Sequence, residues 1–481
     1  MDSKKVIDNF FWRFLERCGA QGVSFVVQIV LARILAPEIY GTIAIVTVFT
    51  TILQVFVDSG LGNALIQKKN ADALDFSSVF YFNIIVCCIL YLLMFLVAPV
   101  IARFYNDTGL TPVIRVLSLT LVISGVKNVQ QAYVSKTMQF KRFFFATLGG
   151  TLGAACIGIA MAYAGFGVWA LVAQQLFNAT VDTIILWITV KWRPKCMFSF
   201  ERLKGLFSYG WKLLASSLIN QIETEIRQLL IGKIYTTADL AQYNRGHTFP
   251  NFVITNVNTS IDSVLLPSMS EEQENVERVR AMTRRAIKTS IYIIAPLMMG
   301  LVFTGTPLVR LILTEKWLPC VPYMIIFCIT YMFYPIHTAN LNAIKALGRS
   351  DIYLKLEIIK KVIGLVFLLS TAWISVWAMA LSALFVSILN QVINSWPNKK
   401  LLNYSYLEQL KDILPSVAIA LAMGLCVYPI QLLGFSDPLT LCIQVPMGAV
   451  IYILLSKVFK IEAFDYILST IKLYVLRNKI H

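Results

Sequence analysis

SSVFYFNIIVCCILYLLMFLVAPVI, residues Ser77 to Ile101, runs without a charged side chain. A helix rises about 1.5 Å per residue, so this stretch is long enough to cross the roughly 30 Å hydrocarbon core of a bilayer. Read outward from it, the same rule predicts helices over residues 8–34, 39–59, 77–101, 112–133, 144–165, 167–190, 207–232, 239–266, 286–313, 320–344, 354–374, 376–396, 412–433 and 438–457. Polar residues interrupt the first, seventh and eighth, whose ends are the least defined. The predicted fold is an all-α polytopic membrane protein with about 14 transmembrane helices.

Composition points the same way. Hydrophobic residues make up 57% of the 481 and charged residues 14%, against roughly 25% charged in soluble domains. The net charge of +16 does not mark a nucleic-acid protein, because the basic residues sit in short loops between apolar runs and not along one solvated face. Most of the nine cysteines lie inside apolar runs, and no CxxC or Cys/His ligand spacing occurs; they read as packing residues, with no metal site and no cofactor. Charges at Asp2, Lys4, Lys5, Asp8, Arg13, Glu16 and Arg17 leave no cleavable apolar leader, so the first helix is expected to stay attached.

Threading the fourteen stretches from a cytoplasmic N-terminus places 30 basic residues inside and six outside: Arg33, Arg103, Arg115, Lys233, Arg310 and Lys316. The positive-inside bias then puts both termini in the cytoplasm. The outer connections are short, and leave no outer domain to hold an active site.

A repeat lies at an offset of about 200 residues. Trp12-Arg13 opens the first stretch and Trp211-Lys212 the seventh; each leads to a basic residue, Arg33 or Lys233, and then a turn. Pro37 to Gly41 is answered by Ala238 to Gln242, and the helices that follow carry late acids at Asp58 and Asp262. Six helices per repeat is an even number, so the halves are expected to be parallel. This predicts an N-terminal six-helix lobe (1–190), a linker (191–206), a C-terminal six-helix lobe (207–396), an extra helix pair (397–458) and an amphipathic tail (459–481), arranged as a two-lobed carrier with a central cleft.

Ionisable side chains inside hydrocarbon cost roughly 2.5–3.5 kcal/mol each on insertion scales, so they mark partners or wet cavities. Arg13, Glu16, Arg17 and Gln21, continued by Gln28, form one stripe on the first helix, and Asn220, Glu223 and Arg227 another on the seventh. One reading makes the acid–base neighbours satisfied structural ion pairs. The other is an anion-binding cleft, in which Arg13, Arg17, Lys127, Lys212, Arg227 and Arg245, read together at the cytoplasmic half, take a diphosphate. Gln21, Gln28, Gln174, Asn178, Asn220 and Asn256 then offer amides to sugar hydroxyls. An acid with no adjacent base suits ion coupling, which makes Asp182, Asp58, Glu223 and Asp262 candidates for a coupling proton or sodium ion. No GxxxxGK[ST], GxSxG, HExxH or GxGxxG occurs in a suitable context, so neither an enzyme nor a nucleotide-driven pump is expected.

The segment Ile29 to Gly41 (IVLARILAPEIYG) followed by Asp58 to Gln67 (DSGLGNALIQ) resembles the opening of Wzx-type polysaccharide and O-antigen flippases, of the colanic-acid and teichuronic-acid export branch of the MOP superfamily. The resemblance runs along the whole chain and takes in Trp211-Lys212 and the turn from Thr237 to Tyr243. It implies two six-helix bundles plus two C-terminal helices in a bacterial cytoplasmic membrane. It also implies translocation of an undecaprenyl-diphosphate-linked oligosaccharide, driven by a proton or sodium gradient and alongside the polymerase and glycosyltransferases of the same pathway. Export of amphiphiles or drugs, as in the multidrug branch, is the alternative within transport. A membrane glycan polymerase or glycosyltransferase is the alternative from another class.

Overall fold

A computed structural model of the chain describes residues 19, 21–58, 61–68, 70–137, 139 and 141–469. Among them there is no strand; the chain is all-α, with α1 (Gln21–Ile34), α2 (Pro37–Asp58), α3 (Leu61–Gln67), α4 (Ala73–Phe104), α5 (Leu110–Leu117), α6 (Leu119–Lys136), α7 (Lys141–Tyr163), α8 (Val168–Thr189) and α9 (Phe200–Ile234). It continues with α10 (Thr237–Glu271), α11 (Val276–Leu313), α12 (Val321–Met332), α13 (Tyr334–Ala346), α14 (Ser350–Thr371), α15 (Val376–Leu401), α16 (Tyr406–Val427), α17 (Asp437–Val458) and α18 (462–469). Ten described segments are long and apolar enough to cross a membrane, counting α5–α6 as one and the 3-10 turn Glu315–Cys320 with α12–α13 as another. On α4 the side chains of Ile85, Ile89, Leu92, Leu96 and Val100 all lie exposed along one face, an arrangement that water would penalise and lipid favours. The protein is therefore a multi-pass membrane protein.

Three features were not predicted. The helix α3 follows directly on α2. Two predicted spans are broken, at Ser118 and at Phe333. The second break falls two residues before Pro335, which has no N–H to continue the helical ladder and sits in the first turn of α13, where none is needed. The predicted linker is also more ordered than a loop: helix begins at Phe200, seven residues early, with Ser199 Oγ accepting from the Arg202 N–H. Upstream of it Trp192 sits in an aromatic cluster with Phe76, Phe80 and Tyr133, at ring separations of 5.8–6.3 Å.

By their contacts, residues Met1–Ala241 and Gln242–His481 form two compact units. In the first, α7 and α8 run together over glycines. A Cβ at Gly150 would stand 2.7 Å from Asn178 Oδ1, at Gly153 2.5 Å from the Phe177 ring, and at Gly158 3.1 Å from Gln174 Cβ, so only glycine permits this approach. The chain breaks at residues 35–36 between α1 and α2, and again at 235–236 between α9 and α10, which gives the 200-residue repeat the same local backbone twice. At Gly41 a Cβ would meet the Thr237 carbonyl oxygen at 1.8 Å.

The second unit is organised around α11, which packs on α12, α13, α16 and α17. Its interior holds a fully buried polar cluster. Asn340 Nδ2 donates to Gln409 Oε1 (2.8 Å) and to Ser395 Oγ (3.2 Å), while Asn398 Nδ2 (2.7 Å) and Gln409 Nε2 (3.1 Å) donate to Asn340 Oδ1. Polar groups inside a membrane protein have no water to turn to, so such amides tie helices together; here they join α13, α15 and α16. His337 is a buried filler, with Nδ1 3.0 Å from Asn394 Nδ2.

Candidate functional site

Two charged residues of the first unit pair across helices. Lys127 lies nine residues before the end of α6, about 13 Å along the axis at the helical rise, and its Nζ donates to Asp182 Oδ2 of α8 at 2.9 Å. Their side chains are 18% and 14% exposed. From sequence each is a charge with no neighbour on its own helix; helix packing makes them partners. This corrects the reading of Asp182 as an acid without a base.

Lys127 also lines a cavity of about 320 Å³ with Gln54 of α2, Gly62 and Ile66 of α3, and Asn128, Gln131, Ala132 and Ser135 of α6. Gly62 is required here because a Cβ would stand 2.9 Å from Asn128 Oδ1. The cavity offers one ammonium, three amides and a hydroxyl, a lining suited to an oxygen-rich, anionic or hydroxylated group. Only packing tells these three amides apart from the many others in the chain, because which helices meet at a cavity is not written in helix periodicity. The glycine of the DSGLGNALIQ segment that lets α3 approach α6 is the one local sign of it.

The other predicted residues are dispersed. Arg13 and Arg17 lie outside the described residues, as do the side chains of Asp58 and Lys212. Gln21 and Gln28 are exposed on α1, and Asn220 and Glu223 on α9, where Arg227 is half-buried. Gln174 and Asn178 face the glycines of α7. Asn256 is exposed and donates to the Phe252 carbonyl at 2.7 Å, and Asp262 accepts from Asn342. Arg245 is buried, with its guanidinium 4.9 Å over the Trp317 ring. Arg227 and Arg245 stand seven and eight residues from the ends of α9 and α10 that flank the turn at 235–236, whereas Lys212 lies towards the opposite end of α9. Lys212 and Arg227 are thus 15 residues, about 22 Å, apart along α9.

One acid was passed over. Glu225 on α9 is 8% exposed and accepts from Gln221 Nε2 (2.8 Å) and Gln228 Nε2 (2.6 Å). Among the described residues it has no cationic partner. The two glutamines fall four residues before and three after it, on one helix face, but that spacing does not say that the face is buried.

Residues 30–322, more than half of the chain, match the family described as polysaccharide biosynthesis protein. The chain belongs to that family. Within it, the chain is 24% identical over 414 residues to the teichuronic acid biosynthesis protein TuaB of Bacillus subtilis (strain 168), covering 84% of this chain and 86% of that one. It is 22% identical over 434 residues to the lipopolysaccharide biosynthesis protein WzxC of Escherichia coli (strain K12), covering 88% of each. Among solved structures, the lipid II flippase MurJ in an inward closed conformation superposes with a TM-score of 0.74 at 15% identity, over 95% of this chain and 99% of that one. The likeness to MurJ shows a shared fold, and the sequence relatives bear out the resemblance to Wzx-type proteins.

Proposed function

We propose that this polysaccharide biosynthesis protein translocates polyprenyl-diphosphate-linked oligosaccharide repeat units across the cytoplasmic membrane by alternating access, as fourteen spans with both termini cytoplasmic. The observation that carries the reading is the Lys127–Asp182 pair, with Lys127 lining a polar cavity. A structural pair needs no cavity of amides beside it, whereas a site that passes phosphates and sugars does. The names of the relatives, two biosynthetic proteins for surface polysaccharides, and the fold shared with a lipid II flippase support the cargo class.

In this reading the chain is a carrier and not an enzyme. Lys127 engages phosphate oxygens as Asp182 releases it, and the amides of Gln54, Asn128 and Gln131 meet sugar hydroxyls. Charge compensation by a proton or a sodium ion falls to Asp182 and to Glu225, whose carboxylate is held by amides alone among the described residues. The polyprenyl tail stays in lipid. Polymerase and glycosyltransferases of the same pathway supply and consume the cargo.

The test is a deletion strain assayed for lipid-linked repeat units on each leaflet. Accumulation on the cytoplasmic side, reversed by the wild-type chain and not by Lys127→Gln, supports the proposal. Normal export without the protein, or efflux of cationic dyes with no effect on lipid-linked glycan, would sink it, the second outcome in favour of a multidrug exporter.

A further inference from the structure

Five basic residues crowd the start of α11, and four are matched to carboxylates. Arg278 pairs with Glu272, Arg280 lies 3.9 Å from Glu408, Arg284 holds Asp412 at 2.6 Å, and Lys288 meets Glu462 and Asp412. Arg285 is the exception: among the described residues it has no acidic partner, and its guanidinium stands 4.8 Å over the ring of Tyr466 on α18. Matching four charges and leaving the fifth at a ring face is a poor way to hold a helix. It is a good way to hold an anion.

Beside Arg285 lies a cavity of about 340 Å³ between α10, α11 and α18, with an apolar wall that includes Ile261, Val264 and Leu265 of α10 and Met282 of α11. That volume is at the lower end of the range for small-molecule sites, roughly 300–1,000 Å³. Depth fixes the kind of ligand. From Thr289 to Val309 α11 carries no charge, so Arg285, four residues earlier, lies about 6 Å outside the uncharged run along the axis. This is headgroup depth, with the apolar wall of the cavity formed by α10 beside it. A fixed cation at the headgroup level above an apolar recess is complementary to an amphiphile with a negative head.

We propose that this cavity binds one anionic phospholipid, with its phosphate on Arg285 and the first part of an acyl chain against Val264 and Leu265. The site is separate from the cavity at Lys127 and does not depend on the identity of the cargo.

Native mass spectrometry of the purified full-length protein tests it, with phosphatidylglycerol and phosphatidylcholine of identical chains as probes. The wild type is expected to retain phosphatidylglycerol about five-fold better, the ratio that one interfacial cation provides. Arg285→Gln should bring the ratio close to one, and Arg280→Gln should leave it unchanged. Val264→Trp, a substitution at an exposed position that fills the recess, should lower phosphatidylglycerol occupancy. No preference in the wild type, or the same preference in Arg285→Gln, would overturn the proposal. So would displacement of the lipid by millimolar glycerol phosphate, because the site would then read the anion alone.

Discussion

Lys127 Nζ and Asp182 Oδ2, 55 residues apart in sequence, meet at 2.9 Å between α6 and α8. Each is an expensive residue to place at that depth, and each makes the other tolerable. Removing one partner leaves a buried charge uncompensated, which costs about 3–5 kcal/mol where it has been measured, whereas removing both costs far less. Lys127→Gln and Asp182→Asn should each lower the unfolding temperature in detergent, and the double variant should recover most of the loss. If the pair also serves transport, the recovered double variant stays inactive in complementation. A double variant as active as the wild type would reduce the pair to structure.

Gly41 has no room for a side chain against the Thr237 carbonyl. Gly41→Val is expected to destabilise by about 1–3 kcal/mol, the usual cost of overpacking, and to lower the yield of folded protein on size exclusion. Gly22→Val, at a position with nothing within 4 Å of the added Cβ, is the control and should be neutral.

Glu225 can be neutralised with little change of shape. Glu225→Gln should preserve folding, since the site is already made of amides, and abolish the response of transport to an imposed proton or sodium gradient. Transport that still follows the gradient in this variant would remove Glu225 from the coupling scheme.

The amide cluster in the second unit is a purely structural expectation. Asn340→Leu leaves the Asn398 and Gln409 amides short of partners, at about 1–3 kcal/mol per buried group, and should loosen the attachment of α15 and α16 to α13. Hydrogen exchange of α15 is the measurement, and unchanged protection would argue that the cluster is wet.

Charge pattern and hydropathy made the membrane class legible, because hydrocarbon excludes charge so strongly that every long uncharged run has to be accounted for. The repeat was legible as well, since a turn between two helices needs local residues, and Ala36-Pro37 and Thr236-Thr237 supply them at the same offset. The candidate site was only half legible. Lys127 and Asp182 stood out as costly residues, yet nothing within one helix says that two such residues will face each other. Glu225 was hidden for the opposite reason, since it sits in a helix with other charges and looked ordinary beside Glu223. Its burial, and the exposure of Glu223, depend on which face of α9 packs against α2 and α3.

By itself, then, the sequence determined the solvent and the all-helical class, because transfer to lipid and hydrogen bonding within a helix are local, nearly additive quantities. Only tertiary structure decided which charges are paired, which amides line a cavity and which arginine is left without an acid. Those outcomes depend on which helix faces meet across the fold, and electrostatic and packing energies act over a few ångströms in space regardless of separation along the chain.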